Sequence, residues 1–258
     1  MILNDSAAEL RIFPDRDLMG AAAGHDTASQ LRKVLAERGS ARVVFAAAQS
    51  QLEALTALVG EPEIDWGRVT AFHMDEYLGL APDAPERFGN WLREALFDKV
   101  PFAAVHYIDA DIDPAAAVAD YAALLAEAPI DIVVLGIGMN GHIAFNDPPV
   151  ADFDDPEPVK VVLLDETCRI QQVEDGCFAE FDDVPQSAIT VTIPTLLGAG
   201  RLFCVVPGSL KAEALRATML EPISTAWPST ILRTHPACTI YADADAAALL
   251  DRDALSVA

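Results

Sequence analysis

The sequence predicts an α/β fold: a doubly wound, mainly parallel sheet with helices on both faces, Rossmann-like and three-layered. Two observations predict it. Apolar runs of strand length alternate with longer helix-like segments along the whole chain. Several of those runs are continuously apolar, which is how strands buried on both faces of a parallel sheet read.

The elements follow in order. Residues 17–38 read as a helix stopped by Gly39, and residues 42–47 (RVVFAA) as a buried strand. A helix over 51–59 ends at Gly60, before a strand at 68–73 (RVTAFH). A helix over 85–97 and a strand at 105–108 follow. The helix over 114–127 has Asp113 as N-cap and Pro114 at its first position, where the missing N–H costs nothing. The strand at 130–136 (IDIVVLG) is the most hydrophobic. Strands are also expected at 159–164, 201–206 and 238–241, and helices at 208–220 and 244–250. Residues 146–158 (NDPPVADFDDPEP) are rich in proline and acid and read as a loop, placed to act as an active-site flap. No internal repeat or low-complexity linker interrupts the pattern, so one domain over residues 1–258 is expected.

Charge narrows the function. The 258 residues carry 40 acidic and 17 basic side chains, a net charge of -23. Such a body repels nucleic-acid phosphates and anionic lipid, and no cluster of Lys or Arg offsets it. Neither nucleic acid nor membrane is an expected partner. A small anionic substrate would need local cations, and only four lysines exist: Lys33, Lys99, Lys160 and Lys211. Apolar runs break well short of a membrane span. The first residues lack a basic stretch followed by an apolar one. The four cysteines show no CxxC pair, so reduced thiols in a cytoplasmic protein are expected.

Three segments carry chemistry, and all stand where a strand ends. In an open α/β sheet, ligands bind beyond the carboxyl ends of the strands. Asp75 and Glu76, in FHMDEY, are adjacent carboxylates; one desolvated there would suit proton abstraction. A lone Asp-Glu pair is otherwise a cap or a turn. Gly136, Gly138 and Gly141 give the spacing GxGxxG, yet a dinucleotide site is rejected. The motif is not in the first βα unit, and Pro148 and Pro149 stop any helix that could hold a pyrophosphate. His142 directly after the third glycine, with Asn146 and Asp147 near, reads instead as a proton shuttle. Lys211, in PGSLK, adds a cation to helix-start N–H groups and forms an anion site.

Together, FHMDEYLGL at 72–80, GIGMNGHIAFND at 136–147 and the run at 208–215 with 234–236 resemble the glucosamine-6-phosphate deaminase/isomerase family, in the same order over nearly the whole chain. The sister 6-phosphogluconolactonases share the fold and the GxGxxGH turn. They usually carry DER where this chain has DEY, so the likeness falls on the deaminase side. The resemblance implies an aldose–ketose isomerisation of an amino-sugar phosphate with loss of ammonia, using no metal and no cofactor. It casts His142 as the ring-opening residue and Asp75 as the base moving a proton between C2 and C1. Asn140 and Asp147 would assist His142. Glu76, Gln49, Ser50, Gly138, Gly141, Arg169 and Lys211 would hold the substrate, with Lys211 on the phosphate. The oligomeric state is left open, a homo-oligomer included.

The departures are specific. Asn140 stands where the family has Asp, and Asp147 where it has Glu. An amide can fix a histidine's tautomer but cannot stabilise imidazolium. The family's glycine-rich phosphate loop after the first strand is replaced by residues 46–53 (AAAQSQLE). Ser50 and Glu53 there have capping-box spacing, which would use up helix-start donors and place a negative charge against phosphate. No arginine cluster surrounds Lys160 near 156–162, so the anion-activated regulation of some members is not expected. The competing readings are a lactone hydrolase, separated by ammonia release, and a sugar-phosphate sensor that has lost the chemistry.

Overall fold

The computed structural model describes residues 7–251. Its centre is a seven-stranded, wholly parallel sheet. The strands are β1 (Glu9–Phe13), β2 (Ala41–Phe45), β3 (Val69–His73), β5 (Ala104–His106), β6 (Ile132–Leu135), β9 (Arg201–Val206) and β10 (Cys238–Asp243). Their spatial order is β1-β10-β9-β6-β2-β3-β5. Alternate residues of one strand enter opposite cores. On β6, Ile132 and Val134 join one apolar cluster while Val133 and Leu135 join the other. On β9, Phe203 and Val205 face one way and Leu202, Cys204 and Val206 the other. Both faces need helices, which is why these strands read as unbroken apolar runs.

Helices α1 (Arg16–Arg38) and α2 (Leu52–Gly60) supply one core through Met19, Leu31, Leu55 and Leu58. Helices α4 (Pro114–Ala126), α6 (Ile193–Leu197) and α7 (Ala212–Leu220) supply the other. Asp15 caps α1 by accepting from Leu18 N–H at 2.8 Å, and Gly39 ends it in the left-handed region at φ 84°. Asp113 caps α4 as expected, accepting from Ala115 and Ala116 N–H. The chain winds outward in both directions from the β6–β2 pair, so the crevice at the carboxyl ends of those strands is where a ligand belongs.

A second sheet lies outside that plan. Strands β4 (Asp75–Tyr77), β8 (Ser187–Val191) and β7 (Val159–Leu163) form an antiparallel trio in the order β4-β8-β7. The 159–164 segment is therefore a strand, but not one of the parallel sheet. Val161 and Leu163, two apart on one face, are exposed, the mark of an edge strand with one solvated face. Residues 244–250 are turns rather than a helix; at under two helical turns, nucleation is not repaid. The 85–97 segment is an α-turn, α3 (Phe88–Leu92), running into a π-helical stretch, Arg93–Phe97. Helix α5 (Glu166–Glu174) completes the fold. None of the helices described is long and apolar enough to cross a membrane.

Candidate active site

An open cleft of about 590 Å³, solvent at its mouth included, lies beyond the carboxyl ends of β2, β3, β6 and β9. Asp75, His142, Lys211, Gln49 and Ser50 line it together. Five residues that the sequence scatters over more than 160 positions thus share one site.

Asp75 opens β4, where the chain leaves the central sheet and pairs with β8 opposite Thr190. Its side chain is buried, and no hydrogen bond to its carboxyl group exists among the described residues. Burial raises its pKa well above the usual carboxylate value, and the charges of Glu76 and Asp147 push the same way. A carboxylate without donors, facing a cleft, is a proton acceptor in waiting.

The backbone of Asp75 is held by His73. Its Nε2 accepts Ile108 N–H at 2.9 Å, so Nδ1 carries the proton and donates to the Asp75 carbonyl at 2.9 Å. Full burial lowers the His73 pKa to about 4, which keeps the ring neutral in this role.

His142 sits on a tight turn after β6. Gly138 N–H donates to its carbonyl at 2.9 Å, and Gly141 N–H donates to the Gly138 carbonyl at 3.0 Å. The imidazole lies directly over Gly138: a Cβ there would come within 2.2–2.4 Å of three ring atoms. Gly138 is thus needed for close approach of the ring, not for contact with a ligand. Gly141 adopts φ 77°, and a Cβ on it would press on Ser229 and Trp227 at 3.0 Å.

Asp147 lies behind the ring. Its Oδ1 is 2.9 Å from His142 Nδ1. The same oxygen accepts from the Asn140 amide at 3.0 Å, and Oδ2 accepts Asp165 N–H at 3.1 Å. Burial pushes the Asp147 pKa up, but His142, Asn140 and the Asp165 N–H together hold it below the usual value. Asn140 Oδ1 accepts His142 N–H at 3.1 Å. The asparagine braces both partners, and Asp147 supplies the charge. Asn146 plays a different part. Its amide donates to the carbonyls of Ile143 and Val191 at 2.9 Å, fastening the turn to β8. The loop after it is drawn back by Lys160, which donates to the Val150 carbonyl and Asp155 at 2.7 Å, and residues 146–158 do not line the cleft.

At the other end stands Lys211, on the 3₁₀ turn Ser209–Lys211 after β9. It is 5% exposed and makes no hydrogen bond or ion pair among the described residues. Burial lowers its pKa, while Asp175, Cys168 and Glu174 act the other way. One expected anion donor is already occupied, since Gly208 N–H donates to the Asp243 carboxylate at 2.9–3.0 Å.

Three expectations change. Ser50 and Glu53 form no capping box, because neither start of the 49–60 helical segment has a side-chain cap. Glu53 packs its Cβ against Gly20 of α1 and pairs with Arg16 at 2.7 Å, so its charge is matched and lies outside the cleft. Glu76 does not face the substrate space. Its carboxylate accepts the N–H groups of Tyr77, Phe88 and Gly89 at 2.9–3.0 Å and caps α3. Arg169 is likewise outside: it donates to the Phe181 and Val184 carbonyls and stacks 4.0 Å from the Phe181 ring.

Helix α5 supplies what the sequence reading missed. Cys168, Gln171 and Gln172 are buried on one face, at the i, i+3, i+4 spacing that could have flagged a helix. Gln171 Oε1 accepts Met139 N–H at 2.7 Å, and its Nε2 donates to Asp175 at 3.1 Å. Gln171, Gln172, Asp175 and Cys177 line the cleft. Gln51, fully buried, donates to Ser50 and the Val205 carbonyl.

The family model described as "Glucosamine-6-phosphate isomerases/6-phosphogluconolactonase" matches residues 14–241. The chain belongs to this family. It is 37% identical over 186 residues to a glucosamine-6-phosphate deaminase of an Exiguobacterium species, covering 71% of each chain. It is 34% identical over 230 residues to one from Streptococcus pneumoniae, covering 89% of this chain and 95% of the relative. The structure of a monomeric glucosamine-6-phosphate deaminase superposes with a TM-score of 0.84 at 26% identity, over 93% of this chain and 99% of that one. The Trypanosoma brucei 6-phosphogluconolactonase shares the fold, with a TM-score of 0.77 at 16% identity over 95% and 99% of the two chains.

Proposed function

We propose that this chain isomerises and deaminates an amino-sugar phosphate, glucosamine-6-phosphate being the first candidate. The observation that carries the reading is the unpartnered, buried Asp75 carboxyl in one cleft with the His142–Asp147 pair and the buried Lys211 ammonium. The identity to deaminases favours it over lactone hydrolysis.

Lys211, with Gln49 and Ser50, holds the phosphate. His142 opens the ring by moving a proton between the ring oxygen and the C1 hydroxyl, and Asp147 stabilises the imidazolium formed on the way. Asp75 takes the proton from C2, whose bond electrons become the C1–C2 double bond of an enolamine, while the carbonyl π electrons pass to the C1 oxygen, which takes a proton from solvent. The same carboxyl returns a proton to C1, leaving an imine at C2. Water adds there and ammonia leaves, giving the ketose phosphate. One carboxyl on one face performs both transfers, and its raised pKa brings it nearer to neutrality, where a base is most effective. The reaction belongs in the cytoplasm, where sugar phosphates are found.

The test is to supply glucosamine-6-phosphate and measure ammonia and ketose phosphate together. Equimolar release supports the reading. Hydrolysis of 6-phosphogluconolactone without ammonia from the amino sugar would replace it with the lactonase reading. Binding without turnover would leave a sensor.

A further inference from the structure

The proposed reaction makes no use of Cys168, yet its thiol closes a cluster. One ligand atom each from His142, Asp147 and Cys168 lie within 4.8 Å of one another, and all three residues are buried. They come from the turn after β6, the end of its GHIAFND segment, and the first turn of α5. His142 Nδ1 is buried with only the Asp147 carboxylate beside it, at 2.9 Å, and Cys168 makes no hydrogen bond among the described residues. Asp147 is fixed from behind by the Asn140 amide at 3.0 Å and the Asp165 N–H at 3.1 Å. An imidazole nitrogen, a carboxylate oxygen and a sulfur, with the carboxylate held by outer hydrogen bonds, form the donor set and surroundings that a borderline-soft, tetrahedral cation takes. His142 lines the cleft, which gives such an ion a route in and a water as its fourth ligand.

We propose that His142, Asp147 and Cys168 form an inhibitory site for a divalent cation of the Zn²⁺ class. On binding, the Sγ–H bond breaks and its proton passes to solvent, as does any proton on Nδ1. Metal bonds form to sulfur, nitrogen and oxygen. Thiolate and carboxylate then balance the dication, so the buried site ends neutral. With Nδ1 held by metal, His142 no longer cycles between acid and base. That loss of turnover rests on the proposed role of His142; the binding itself does not.

Co²⁺ serves as the probe, added to the full chain. The expected result is a near-ultraviolet thiolate-to-metal absorption band that Zn²⁺ abolishes, lost in Cys168→Ser and in Cys168→Ala, and kept in Cys177→Ser, which changes the cleft-lining cysteine. In parallel, Zn²⁺ should inhibit turnover reversibly by chelation, with the inhibitory concentration at least about tenfold higher in Cys168→Ser. No thiolate band in the parent chain, a band that depends on Cys177, or equal Zn²⁺ sensitivity in Cys168→Ser would overturn the proposal. Because the spectrum needs no substrate, an enzyme inactive on glucosamine-6-phosphate still tests the site.

Discussion

Asp147 Oδ1 stands 2.9 Å from His142 Nδ1 and accepts the Asn140 amide at 3.0 Å. One oxygen thus holds the ring and the side chain that braces the ring's own backbone. The charge beside the ring comes from Asp147, five positions after the histidine in the chain. Asp147→Asn keeps the shape and removes the charge that stabilises imidazolium. Turnover of a cyclic amino-sugar phosphate should fall by about 10²- to 10⁴-fold. Reverse reaction from an open-chain ketose should suffer less, since ring opening is then bypassed. Equal losses in both directions would assign the pair to another step.

Asp75→Asn separates catalysis from stability. The amide cannot accept a proton, so turnover should drop by about 10²- to 10⁴-fold. Stability should move the other way. The folded-state pKa of Asp75 is raised above its unfolded value, chiefly by burial. Its favourable contribution is complete below the unfolded pKa and is lost as pH rises through the folded one. Above the unfolded pKa this group therefore costs the fold stability, and Asn removes that penalty. Denaturant midpoints of the variant should exceed those of the parent at pH 7, with the difference vanishing below about pH 4. A variant less stable at pH 7 would contradict the buried, unpartnered state of this group.

Asp147 has the opposite sign. Its folded pKa is depressed, with His142 leading the causes that outweigh burial. It stabilises the protein above its unfolded pKa, and that contribution is lost as pH falls through the folded value. Acid unfolding below about pH 4 should be less steep in Asp147→Asn than in the parent.

Gly138→Ala tests the seat of the ring. A methyl there would lie 2.2–2.4 Å from imidazole atoms, so the ring must swing away from Asp147. Activity should fall as far as in Asp147→Asn, while the far-ultraviolet dichroism stays that of the parent. Crystals of the variant should show the Nδ1–Asp147 contact broken. Full activity would mean that the ring already moves freely in the working enzyme.

Six strands of the central sheet were legible, unlike the mixed, half-buried edge strand β1, ELRIF, because strands such as IVVL of β6 are apolar on both faces. Asp75, His142 and Lys211 were legible because each follows such a strand. The antiparallel trio was not, although its strand β7 was read as a strand. Its strand β4 is the acidic DEY, whose extended form depends on pairing with β8 rather than on propensity. Gln171 and Gln172 were missed because α5 is short and polar, with charge at both ends, and only its packing separates a buried face from a solvated one. Glu53 misled for a related reason. Its capping-box spacing is local, but its partner, Arg16, lies 37 positions away on another helix.

That pairing yields a matched pair of tests for the anion end of the cleft. Lys211 is buried and holds no ion pair among the described residues, so its ammonium is free for phosphate. A charge-assisted contact contributes roughly 1.5–3 kcal/mol, and 1.4 kcal/mol corresponds to about tenfold in affinity. Lys211→Met should therefore raise KM for a sugar 6-phosphate by about 10- to 100-fold, and leave weak binding of the unphosphorylated sugar as it was. Glu53, matched by Arg16 at 2.7 Å and turned toward Gly20, should be silent in the same assay. Its partly exposed pair contributes at most about 1 kcal/mol to stability. Glu53→Gln should leave KM within about twofold and lower the melting temperature by a few degrees at most. If Glu53→Gln instead tightens phosphorylated ligands, its charge reaches the phosphate after all, and the Arg16 pair opens in the working enzyme. If Lys211→Met leaves KM unchanged, the cleft does not read phosphate through this lysine, and the substrate's anionic group must lie elsewhere.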